Sequence, residues 1–174
     1  MNIGIKDKLA PHVPPGVDVS QELRWLCYGG IAAWLYSCGF LVRYASRYDS
    51  LFHWDGTARV LDTRAIMPDF VEILGGSLNG FLILALCAVA MIAYHYAYHY
   101  QGSKSIYLMK RLPSRWELPR RCLTLPLLAV LACLCAALLL LLIYYGIYMA
   151  LTPRACLAPD QWQKIWSVLV GVTR

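Results

Sequence analysis

Three long apolar stretches alternate with polar connectors along this chain, and their lengths set its class. They cover about 23–44, 73–98 and 123–151. Each reaches the ~20 residues a helix needs to cross the hydrocarbon core of a bilayer. The first is rich in small residues (Gly29, Gly30, Ala32, Ala33, Ser37, Gly39), which let helices approach closely in lipid, so it is expected to be a packing helix. The second opens on Gly75, Gly76, Ser77, Asn79 and Gly80 and closes on Tyr94-His95-Tyr96-Ala97-Tyr98-His99-Tyr100, where an aromatic belt would sit. The third contains the unbroken aliphatic run 138–143; Pro126 falls in its expected first turns, where a missing N–H costs least. Tyr144, Tyr145 and Tyr148 mark its outer end, and Thr152-Pro153 stops it. The pattern predicts an all-α polytopic membrane protein, a single domain over 1–174 with three transmembrane helices.

The connectors differ in charge. Residues 1–20 hold Lys6, Lys8 and three prolines without the apolar core of a signal peptide, so this segment reads as retained and cytoplasmic. Ser20 is the expected N-cap of the first helix. The connector 45–72 balances Arg47, Arg59 and Arg64 against Asp49, Asp55, Asp62, Asp69 and Glu72, which places it outside. Its apolar run 50–54 suggests a short interfacial helix, and 68–74 reads as a helix entering the second span. In the tail 152–174, Trp162, Ile165, Trp166 and Leu169 recur at helical spacing. They predict an external amphipathic helix, too short to span, lying along the outer surface.

Composition agrees: 59% hydrophobic residues, 15% charged and a mean hydropathy of +0.50 fall outside the soluble range. Six of the sixteen Lys and Arg residues (Lys104, Lys110, Arg111, Arg115, Arg120, Arg121) lie in the connector 99–122, against the single acid Glu117. That excess makes the connector cytoplasmic by the positive-inside rule. Aromatic residues do not interleave with these charges as a single-strand binder requires, so nucleic acid is not the expected partner. Six of the seven cysteines lie in or beside apolar spans and Cys156 is alone in the tail. No CxxC occurs, and Cys133 and Cys135 sit on different helix faces, which argues against a disulfide framework or structural zinc.

Chemistry-bearing groups are few. His95 and His99, four apart on one face, are the only metal candidates, and no third ligand lies near them in sequence. The simpler reading makes them members of the aromatic belt. His53, Asp55 and Asp62 form at most a solvated loop face, and no nucleophile, Walker or HExxH motif occurs, so neither catalysis nor a cofactor is expected. Within the basic connector, Ile106, Tyr107, Leu108, Met109 and Leu112 form an apolar cluster that Pro113 terminates. Ser114-Arg115-Trp116-Glu117 matches a capping box, although Pro119 interferes with the helix it would start.

The stretch Lys104-Ser105-Ile106-Tyr107-Leu108-Met109-Lys110-Arg111-Leu112-Pro113-Ser114-Arg115-Trp116-Glu117-Leu118 resembles the cytoplasmic loop of exporter-class ABC transporter permeases. In that family a short coupling helix after the second span seats in a groove of the ATPase subunit. The resemblance implies that Tyr107, Leu108, Met109 and Leu112 supply apolar contact and that Lys110, Arg111 and Arg115 steer an acidic rim. It implies that Glu117 caps the third span or pairs with an ATPase arginine. It further implies an ABC ATPase partner that hydrolyses ATP in place of this chain. Three spans are half the usual six, so a further membrane subunit, identical or different, is implied. The competing reading is a small accessory or assembly subunit in the cell membrane whose basic loop binds anionic lipid or another partner.

Overall fold

The computed structural model describes residues 19–56, 58–62, 65–101 and 117–170, which are mostly helical. Two helices are long and apolar enough to cross a membrane, Ser20–Asp49 and Leu123–Leu151, and Asn79–His95 is a shorter apolar helix. Most of each long apolar window is exposed, with Trp25, Ile31, Leu35, Leu131, Leu138 and Leu142 on the surface. A water-soluble fold would bury helices of this composition.

The first long helix is two pieces, α1 (Val19–Ser37) and α2 (Gly39–Asp49). At Cys38 the backbone tightens: its N–H is shared between the carbonyls of Trp34 and Leu35, and its carbonyl accepts from Leu41 at 2.9 Å. Ser37 Oγ donates back to the Trp34 carbonyl at 2.7 Å, and Gly39 follows, a combination that bends helices. Ser20 lies inside α1 and is not its N-cap, because the helix already includes Val19.

The connector 45–72 departs from the all-α expectation. Where the run 50–54 predicts a short helix, the chain forms an antiparallel hairpin, β1 (Phe52–Asp55) with β2 (Ala58–Leu61), pairing Phe52 with Leu61 and Asp55 with Ala58. Asp55-Gly56 is the cause, since Gly56 takes φ +65°, the left-handed conformation that tight hairpin turns need. The segment 68–74 also differs from expectation. It yields a separate short helix, α3 (Phe70–Leu74), and Gly75 at φ +46° ends it before α4 (Asn79–Gln101) begins. The positive φ is what favours glycine here, since side chains are strained in that conformation.

The last long helix is α5 (Glu117–Leu151), followed by a 3-10 turn (Arg154–Cys156) and α6 (Gln161–Val170). Because α5 starts at Glu117 or before, Pro126 is buried in the helix interior and not in its first turns.

The chain divides into two compact units, Met1–Ala33 with Gly80–Ala137, and Trp34–Asn79 with Leu138–Arg174. In the first, α1 and α4 run antiparallel. A Cβ on Gly80 would come 3.1 Å from Ala33 Cα, and one on Gly29 would come 2.6 Å from Leu84 Cδ1. The small residues thus do what their abundance predicts: they let two helix backbones close up.

The second unit is built on an aromatic core. Phe40 stacks on Tyr144 at 4.5 Å between ring centres, and Phe70 meets both Phe40 and Tyr148 edge-on at 5.7 Å. Tyr144 and Tyr148 therefore face inward and do not form an interfacial belt. Each buried hydroxyl has a partner: Tyr144 pairs with Ser37 at 3.0 Å and Tyr44 with Thr152 at 3.2 Å, while Tyr148 donates to the Pro68 carbonyl at 3.0 Å. Such satisfaction is what permits polar aromatic tips in a core. Cys156 is buried too, and its carbonyl accepts from the Met67 N–H at 2.9 Å.

Helix α6 locks α3 in place. The Gln161 side chain accepts from the Phe70 N–H at 2.9 Å, satisfying an orphan donor at the start of α3, and its amide donates to Asp69 at 3.0 Å. Lys164 Nζ reaches both Asp69 oxygens at 2.8 and 2.9 Å. That hydrogen bond is the main reason the Asp69 carboxyl sits below its usual range, with Gln161 helping and burial opposing. Ile165 points inward with Gln161, whereas Trp162 and Trp166 are exposed, so the expected single apolar stripe splits into a core face and an outer face.

Candidate functional site

The sequence places the functional weight on the basic connector. Tyr107, Leu108, Met109, Lys110, Arg111, Leu112, Ser114 and Arg115 lie outside the described residues, and Glu117 is the first described residue of α5. What the structure does describe is the last part of α4, which leads into this connector, and its packing against α1.

At that end, His95 is buried to 1% exposure and its Nε2 donates to Glu22 Oε1, a short hydrogen bond between α4 and α1. Glu22 is itself largely buried. The belt reading of His95 is thus corrected. The ring faces a partner helix, and the acid that its sequence neighbourhood lacks arrives from 73 residues away. Among the described residues, the second carboxylate oxygen of Glu22 and Nδ1 of His95 are buried without a hydrogen-bond partner. His99 lies one turn further along α4, beyond what is described of the side chains.

The pair fixes a direction. Glu22 is near the start of α1 and His95 near the end of α4, so the chain leaves α4 beside the point where it enters α1.

No family model, curated protein or solved structure matches the chain.

Among the described residues no group of three or more His, Cys, Asp or Glu side chains could hold a metal ion. His53, a candidate in the connector 45–72, is exposed on β1, paired in register with Val60. Cys133 is buried and Cys135 exposed, so the two do occupy different faces of α5. Sequence reasoning missed Glu22 because one residue of offset left it outside the first apolar span. A charged residue that close to an apolar helix, with a histidine at the far end of the next one, was the available signal.

Proposed function

We propose that this chain is the membrane-spanning subunit of an ABC transporter, a three-helix half permease that pairs with another membrane subunit and with a separate ATPase. Asn79–His95, extended to Gln101, serves as the second of the three spans. The observation that supports the reading is the Glu22–His95 contact, which pairs the start of α1, preceded in sequence by Lys6 and Lys8, with the end of α4, followed in sequence by the basic connector. Positive charge gathered at one end marks the cytoplasmic side, where an ATPase is found. The similarity of Lys104–Leu118 to a coupling-helix loop supplies the partner.

On this reading the mechanism is mechanical. ATP binding closes the ATPase dimer, the apolar tip of the loop moves with its groove, and α4 and α5, which flank the loop, carry the displacement into the bilayer. Leu108 and Met109 form the tip, Lys110 and Arg111 orient it on an acidic rim, and the chain itself hydrolyses nothing. The SIYLM cluster favours a protein groove over a lipid surface, because headgroups reward charge and have no use for an apolar knob.

Leu108→Asp or Met109→Asp puts a carboxylate into that groove. Desolvating it unpaired costs several kcal/mol, and about 1.4 kcal/mol is a factor of ten in binding. Co-purification with the ATPase in detergent should fall at least tenfold, while Lys104→Ala, a rim charge, changes little. An Asp variant that inserts normally and keeps its full complement of ATPase would favour the lipid-binding accessory reading instead.

A further inference from the structure

A cleft of about 260 Å³ opens in the second unit between α2 and α3, lined by Arg43, Ser46, Arg47, Glu72 and Ile73. Arg43 and Arg47 are four apart and so share one face of α2. Arg43 is held in position: Nη2 donates to Ser77 Oγ at 2.7 Å and Nε to the Gly39 carbonyl at 3.3 Å. No hydrogen bond or ion pair within the described residues engages the Arg47 guanidinium or the Glu72 carboxylate, although both line the cleft. Asp49 and Asp69, the other nearby acids, are taken by Arg59 and Lys164.

We infer that this cleft binds the headgroup of a zwitterionic phospholipid bearing a phosphate and a primary ammonium. Guanidinium forks match phosphate oxygens in geometry and charge, and two on one face provide the donors for a single phosphate. The Ser46 hydroxyl adds one more. Glu72 across the cleft suits the ammonium, whereas a purely anionic headgroup would leave that carboxylate unpaired and facing like charge. Depth agrees with this assignment. The cleft residues lie where the first apolar helix ends and just before the apolar α4 begins, the level of headgroups for chains that cross on these helices. The volume suits a headgroup alone, being below the roughly 300 Å³ where pockets for larger ligands begin.

The test uses the full-length protein purified in a non-ionic detergent and titrated with short-chain lipids, with adducts counted by native mass spectrometry. Phosphatidylethanolamine should bind more tightly than phosphatidylglycerol, which lacks the ammonium, and than phosphatidylcholine, whose ammonium has no N–H. Arg47→Gln should weaken phosphatidylethanolamine about tenfold, the loss of one charge-assisted contact. Because Arg47 has no structural partner here, its melting temperature should be unchanged. If melting does shift, Arg47→Lys, which keeps the charge but loses the fork, should bind at an intermediate strength. Glu72→Gln should abolish the preference over phosphatidylglycerol. Equal binding of all three lipids, or variants that bind like the parent, would overturn the assignment. Inorganic phosphate binding as tightly as the lipid would overturn its lipid source.

Discussion

Glu22 and His95 show how two polar side chains are accommodated in an apolar helix pair: each is buried against the other. Replacing Glu22 with Ala leaves a fully buried imidazole N–H without an acceptor, at a cost of about 1–3 kcal/mol. Glu22→Gln retains a carbonyl acceptor and should cost less. The double change Glu22→Ala with His95→Phe removes both halves and should recover part of the loss. Thermal unfolding in a single detergent reads all of these, and a double variant no better than the sum of the singles would contradict the coupling. A belt histidine, by contrast, would tolerate Phe on its own. His95 was misread for a physical reason: its neighbours along the chain are tyrosines, and its partner is supplied by tertiary structure alone. The inward packing of Tyr144 and Tyr148 was not legible either, because an aromatic run at a helix end looks identical whether it meets headgroups or a core.

At the scale of elements, the apolar helices were legible in the hydropathy pattern, while their breaks were not. Gly75 and Asp55-Gly56 carried turn signals that the surrounding apolar runs outweighed, and Ser37-Cys38-Gly39 looked like one more small-residue patch. The dock of α3 on α6 was invisible, since Asp69, Gln161 and Lys164 form no local motif. It makes a pH prediction. The folded Asp69 carboxyl titrates below its unfolded counterpart, so its stabilisation is fully present above the ordinary Asp value near 3.9 and is lost as pH falls through the lower folded value. Melting temperature should therefore drop in acid below about pH 4. Asp69→Asn should be less stable at neutral pH and show a shallower acid decline. Parallel pH curves for parent and variant would show that other groups control the acid response. The contribution is modest, because the Lys164–Asp69 pair is more than a third exposed and is screened by solvent.

For the whole molecule, the helical, apolar character of the chain was readable from the lengths of the apolar runs. The exposed apolar faces of Ser20–Asp49 and Leu123–Leu151 fit that character. The reading of the chain as a half permease, and of its cleft as a headgroup site, both depend on one arrangement. The connector 99–122 must face the cytoplasm while the hairpin and α6 face outward, with three crossings between the N-terminal segment and the tail. Single-cysteine accessibility in a background free of the seven native cysteines measures this directly. An impermeant maleimide should label Gln163→Cys, exposed on α6, in intact cells, and should reach Lys104→Cys only after the membrane is opened. Labelling of Lys104→Cys in intact cells would contradict the arrangement and, with it, the docking of the loop on an ATPase.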